Sequence, residues 1–197
     1  MRRIGIFGGS FNPIHVGHAL IASYIAESAA VDMLWLMVSP QNPLKENSGL
    51  ASDYDRLRMT ELVSRRIENV TTSAFEFDLP KPSYTIDTLN ALKAKFPDDE
   101  FYLVIGADNW CVFDKWKNGE EIISKYHILI YPRRGYDIVI PEKYSDRVKV
   151  VEAPLIEVSS TQVRERLALM KSVSFYVPEA VEKYIVKNEL YGCASHD

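Results

Sequence analysis

The chain is short of several things. Its 197 residues hold only two cysteines, Cys111 and Cys193, too few for a disulfide framework or a cysteine-built metal centre. Both suit a reducing compartment, as minor packing residues. Positive charge is not in excess either: 23 Lys and Arg against 27 Asp and Glu leave a formal net charge of -4. That argues against a nucleic-acid coat or a polybasic membrane anchor while leaving room for a local basic pocket. Long apolar runs are missing too. The longest, around residues 19–26 and 33–38, fall far short of the roughly 18–20 residues that cross a bilayer. Met1-Arg2-Arg3 leads straight into a strand-like segment, without the apolar stretch of a signal peptide. The expectation is a cytoplasmic protein with no membrane or nucleic-acid partner. A hydrophobic share of 47% excludes general disorder, and the length suits one domain over residues 1–197, with a helical part at about 159–190 packed on it.

What is present alternates. Short apolar runs at residues 4–7, 33–38, 101–105 and 128–131 read as buried strands, with weaker candidates at 70–77 and 148–151. Between them, helical spacing runs over residues 18–28, 53–67 and 84–95, with Ser83 expected as the cap of the last. Two more helices follow, one opening at Ser159-Ser160-Thr161 and one over residues 178–187. This pattern predicts an α/β fold, a Rossmann-like doubly wound parallel sheet with helices on both faces. Ligands then belong in the crevice outside the carboxyl ends of the strands.

The informative residues fall at those ends. After the first strand comes Gly8-Gly9-Ser10-Phe11-Asn12-Pro13-Ile14-His15-Val16-Gly17-His18. Glycines there admit a ligand close to the backbone, and the free N–H groups of the following helix favour an anion. His15 and His18, three apart at a helix start, would share one face, with Gly17 keeping the approach clear. The Walker loop, the dinucleotide fingerprint and the kinase motifs are all absent, and His127 and His196 offer the pair no zinc-site company. Gly106-Ala107-Asp108 closes another strand, so Asp108 could accept ribose hydroxyls or merely cap a short helix. Trp116 sits between Lys115 and Lys117, so a partly exposed indole able to stack on a flat cation competes with plain packing. Ser83-Tyr84-Thr85 opens a helix whose free amides could hold a carboxylate. Ser160, Thr161 and Arg164 could converge on a second phosphate, or Arg164 could simply pair with a nearby acid.

This run of motifs resembles the nucleotidyltransferase superfamily marked by His-x-Gly-His, and within it the nicotinate-nucleotide adenylyltransferase family. The likeness extends from residue 3 to about 190, with its motifs in order. Asn12 stands where the family commonly has Asp, and Asn42-Pro43-Leu44-Lys45 where it usually has Pro-Pro-His-Lys. The resemblance implies adenylyl transfer from ATP to nicotinate mononucleotide in NAD synthesis, with Mg2+ carried on the phosphates. It implies His15 and His18 as catalytic residues and Gly8, Gly9, Ser10, Phe11, Gly106, Asp108, Ser160, Thr161 and Arg164 on ATP. Thr85, Tyr84, Trp116, Lys45 and Arg134 would meet the nicotinate nucleotide, Arg133 could add positive potential, and a homo-oligomer is possible. Three alternatives stay open. Phosphopantetheine or cytidylyl transfer uses the same histidine run. Class I aminoacyl-tRNA synthetases carry it too, but are longer and need a Lys-Met-Ser-Lys-Ser loop that this chain lacks. A non-catalytic nucleotide sensor is the third.

Overall fold

The computed structural model describes residues 1–28, 30–40 and 50–193; Lys45 lies outside them. Six strands form one sheet, β1 (Arg3–Gly9), β2 (Met33–Val38), β3 (Val70–Ser73), β4 (Glu100–Gly106), β5 (His127–Tyr131) and β6 (Val148–Val150). Every neighbouring pair is parallel, in the order β3-β2-β1-β4-β5-β6. The order reverses between β1 and β4, where Phe7 lies opposite Val104. At such a switch point the two following connections leave on opposite faces and open a crevice at the strands' carboxyl ends.

The helices are α1 (Val16–Glu27), α2 (Asp53–Ser64), α3 (Thr85–Lys95), α4 (Ala107–Trp110), α5 (Gly119–Lys125), α6 (Ser160–Ala168) and α7 (Glu179–Lys187). They cover the sheet from both sides, which is why the strands read as continuous apolar runs. One core joins Phe7, Leu34 and Leu36 of the sheet to Ile21 and Ile25 of α1, Met59 of α2, Val163 of α6 and Val181 of α7. The other packs Ile4, Leu103, Ile105 and Ile128 against Ile86, Leu89 and Leu92 of α3 and Ile122 of α5. Ile86, Leu89 and Leu92 recur three apart and are essentially fully buried. Each stabilises the fold by roughly 1.5–3 kcal/mol, and Leu89→Ala would lose about 2–5 kcal/mol by leaving a cavity.

Four sequence expectations change. The extended segment at 70–77 stops at Ser73, and Phe75–Asp78 forms a 3-10 turn. α1 begins at Val16 with His15 as its cap rather than at His18, and α2 ends at Ser64 rather than Ile67. The cap of α3 is Tyr84, not Ser83, and no side chain satisfies its first amides. Among the described residues no helix is long and apolar enough to cross a membrane.

Candidate active site

The crevice at the switch point has two ends. At one, His15 and His18 stack with ring centroids 3.7 Å apart. The His18 amide donates to His15 Nδ1 at 3.4 Å, and the His15 amide donates to His18 Nδ1 at 3.3 Å. The two histidines thus cap α1 reciprocally. Since each Nδ1 accepts, the neutral rings carry their proton on Nε2, and each keeps one N–H donor for a ligand. Burial, and then the nearby Arg133 guanidinium, pulls His15 down to about 4. His18 is held well below the usual histidine range by burial, then by His15 and Arg133. Both are neutral at pH 7.

This geometry revises the sequence reading of the loop. The Val16 amide donates to the Tyr176 carbonyl at 2.9 Å and the His18 amide is spent on His15, so two of the opening amides of α1 are committed within the protein and the imidazoles add donors of their own toward an anion. Gly17 does not chiefly clear a ligand's path: a Cβ there would lie 3.0 Å from the His15 ring, so its smallness seats His15. Gly8 faces open space, whereas a Cβ at Gly9 would come 3.1 Å from the Phe11 ring. Phe11 itself is buried, with its backbone in the left-handed region at φ 45°. Its ring meets His18 edge-on at 5.1 Å, supporting the imidazole from below. Ser10 is exposed, and its carbonyl accepts from Arg56.

Beside the histidines, Asp108 follows β4 in the first turn of α4 and caps nothing. Its Oδ1 stands 3.5 Å from Arg133 Nε, yet neither atom makes a hydrogen bond. Two buried polar atoms left this way favour a ligand that would satisfy them. A Cβ on Gly106 would collide with Asp108 Oδ1 and touch the Tyr131 ring. Arg133 also donates to the Tyr131 hydroxyl at 3.2 Å. Arg134 turns the other way, exposed and paired with Glu157 at 2.9 Å. Arg133 lies close enough to the crevice to lower both histidines, whereas the structure places Arg134 in an exposed pair with Glu157.

The start of α6 docks onto the same loop. Ser160 Oγ donates to the Pro13 carbonyl at 2.9 Å, and Arg164 donates to the Asn12 carbonyl at 2.8 Å and to Thr161 Oγ1 at 3.2 Å. Ser160 is thereby a positioning group, and among the described residues Arg164 pairs with no acid. Ser159 caps the helix in a reciprocal box with Gln162. Asn12 Oδ1 accepts from the Ala51 amide at 3.0 Å and the Tyr191 hydroxyl at 2.8 Å. Asparagine at this position thus ties the loop to both α2 and the chain's end.

The other end is a cavity of about 190 Å3 whose wall includes Gly8, Gly9, Ser39, Thr85, Gly106 and Trp116. Trp116 is half-buried against Phe113, with centroids 5.1 Å apart. Its indole therefore both packs and faces the cavity. Thr85 lines it at the uncapped start of α3, while the Tyr84 ring points outward beneath Lys117 Nζ at 4.2 Å. Phe7 and Tyr131 line the cavity and contact each other at 5.6 Å, and Phe7 also touches His18 at 6.1 Å. Phe7 thus stands between the two ends. Among the described residues no group of three or more His, Cys, Asp or Glu side chains gathers as a metal site.

Sequence reasoning missed Arg56 and Glu76. Arg56 is fully buried on α2, donating to the carbonyls of Ser10, Ser39 and Ala51 and pairing with Asp53. A buried guanidinium must be matched this fully to be tolerated. The visible signal was its spacing from Met59, Thr60 and Val63 on the apolar face. Glu76 lines the same cavity, and no periodicity marks it.

Residues 6–166 match the cytidylyltransferase-like family. A Bacteroides fragilis protein named "probable nicotinate-nucleotide adenylyltransferase" is 45% identical over 185 residues, covering 94% of this chain and 92% of its own. A Flavobacterium psychrophilum protein of the same name is 39% identical over 190 residues, covering 96% and 98%. A Plasmodium falciparum nicotinic acid mononucleotide adenylyltransferase solved with NaAD superposes with a TM-score of 0.81 over the whole of both chains, at 20% identity. That likeness is one of fold.

Proposed function

This chain belongs to the cytidylyltransferase-like family and within it to the nicotinate-nucleotide adenylyltransferases, and we infer that it joins ATP and nicotinate mononucleotide into nicotinate adenine dinucleotide, releasing pyrophosphate. One observation carries the reading: a stacked pair of neutral imidazoles, whose Nδ1 atoms accept from backbone and so leave the proton on Nε2, stands at the switch point beside a cavity walled by Trp116 and Thr85.

The chemistry asks for little else. A phosphomonoester is already anionic near neutral pH, so its oxygen can attack the α-phosphorus of ATP without a general base. The bond from that phosphorus to the β-phosphate bridging oxygen breaks in line, and pyrophosphate leaves with the electron pair. Catalysis is then positioning plus stabilisation of charge on the leaving group. His15 and His18 donate to the triphosphate, and Arg133 and Arg164 add fixed positive charge. Gly8 and Gly9 let the nucleotide lie against the backbone, and Asp108 accepts ribose hydroxyls. Mg2+ arrives with ATP as part of the substrate. Trp116 stacks on the pyridinium ring, and the uncapped amides of α3 with Thr85 receive its carboxylate. An amide in that place would turn an N–H toward donors, a mismatch of about 1–3 kcal/mol. The reading places the enzyme in the cytoplasm, where both nucleotides are at hand.

Pyrophosphate formation is the test, measured with ATP and nicotinate mononucleotide, nicotinamide mononucleotide or phosphopantetheine. Release that depends on the nicotinate nucleotide is expected. Preference for phosphopantetheine, or ATP binding without pyrophosphate release, would overturn the assignment.

A further inference from the structure

The ring-end cavity contains a group that a site for a carboxylate should avoid. Glu76, on the 3-10 turn after β3, lines it together with Thr85, Thr88 and Trp116. Its Oε1 accepts from Thr88 Oγ1 at 2.8 Å. Thr88 lies one turn into α3 from Thr85, on the same face, and is buried. The Ser39 hydroxyl, also on the cavity wall, favours the Glu76 anion. Glu76, Thr85 and Thr88 thus share the wall of one cavity of about 190 Å3. A ring carboxylate received at the start of α3, one turn from the Thr88 hydroxyl that holds Glu76, would lie close to the Glu76 carboxyl, and two like charges so near each other repel.

Resting on the nicotinate reading above, we propose that Glu76 is a specificity-determining residue: it holds a proton when a nicotinate ring occupies the cavity, so the acid substrate binds with proton uptake and the amide does not need it. The local hydrogen bonding accommodates both states. With Glu76 ionised, Thr88 donates to it. With Glu76 protonated, the acid O–H donates to Thr88 Oγ1, and the threonine hydroxyl turns to the Tyr84 carbonyl, 3.4 Å away. Neither state leaves a buried hydroxyl without a partner. Burial already pushes the Glu76 carboxyl up, against the two hydroxyls that lower it.

Among the described residues that line the cavity, Tyr131 is the one other titratable group. Burial raises its phenol, so it stays neutral. Asp87 of α3 and Lys117 pair with each other at 3.0 Å on the exposed side, and Lys95 sits over the Phe75 ring. His15 and His18, at the other end, act on the triphosphate that both substrates share.

The test is the ratio of kcat/KM for nicotinate against nicotinamide mononucleotide, from roughly pH 5.5 to 8.5. The two substrates carry the same phosphate, so its ionisation cancels in the ratio, as do those of the histidines. In the native enzyme the ratio should fall by about tenfold or more as the pH rises and Glu76 ionises. In E76Q, which keeps the shape without the charge, it should stay flat near the low-pH native value. Thr88→Val removes a donor that favours the anion and should move the native midpoint upward in pH, which serves if E76Q does not fold. A flat native ratio, or an unchanged slope in E76Q, would overturn the proposal while leaving the reaction in place. Failure of both nucleotides to yield pyrophosphate would instead sink the functional reading.

Discussion

The two ends of the crevice are built by opposite means. The phosphate end is assembled across long stretches of chain: Ser160 reaches the Pro13 carbonyl, Arg164 the Asn12 carbonyl and Tyr191 the Asn12 side chain. Its donors are held by backbone and by one another. The ring end is a shaped recess, with Trp116, Thr85 and the turn at Phe75–Asp78 closing on a small volume. Triphosphate charge develops in the transition state and needs donors fixed in advance, so covalently distant segments are locked together there. A ring that does not react needs only fit and the right charge, which one recess supplies.

That contrast can be attacked at its shared anchor. Arg56 holds the carbonyls of Ser10, beside the phosphate end, and of Ser39, in the wall of the ring end. Arg56→Met would leave those buried carbonyls without their donor, and thermal or urea unfolding should show a loss of about 2–5 kcal/mol. A near-native stability would mean the two ends are not joined through it.

His18→Ala should lower kcat by on the order of 10²–10³ with KM for nicotinate mononucleotide little changed, because the lost donor acts mainly on the leaving group. A rise confined to KM would place His18 in ground-state binding instead.

The phosphate end should also show in stability against pH. The His15 pKa is about 4 folded against roughly 6.5 unfolded, so the unfolded chain binds more protons between those values. Stability is therefore full above about pH 6.5 and falls as the pH drops toward 4, by up to about 3 kcal/mol from this residue. Melting scans of the free enzyme should show the fall, and His15→Gln should flatten it. An ATP analogue should diminish it too, by favouring the charged imidazoles. A profile identical in His15→Gln would remove His15 from the cause.

The smallest effect belongs to the ring end. Trp116→Ala should raise KM for nicotinate mononucleotide roughly 3- to 30-fold, the equivalent of about 0.5–2 kcal/mol of stacking and cation–π attraction, and leave KM for ATP near its native value. Equal rises for both substrates would mean that the indole only packs.

Much of this was legible in the chain. Apolar runs separated by helical spacing announce a parallel sheet, and Gly8-Gly9 through His18 marks the end of β1 as the place for chemistry, because backbone approach and paired donors need those residue types together. The uses to which the residues are put were less legible. Gly17 serves the His15 ring, Phe11 supports His18 from the core, and Ser160 binds the loop, since side-chain direction depends on tertiary docking. Arg133 and Arg134 are adjacent and point apart, and nothing local says which faces in. Arg56 was hidden because an arginine on a helix ordinarily reads as solvated. Glu76 was hidden because a 3-10 turn interrupts the extended pattern that should have carried it.

Nitrogen-15 NMR of the histidine rings, with and without a non-hydrolysable ATP analogue and Mg2+, addresses the neutral imidazole donors most directly. At pH 7 the free enzyme should show His15 and His18 uncharged and protonated on Nε2, and the analogue should shift both Nε2 signals. Rings protonated on Nδ1, or Nε2 signals indifferent to the nucleotide, would contradict it.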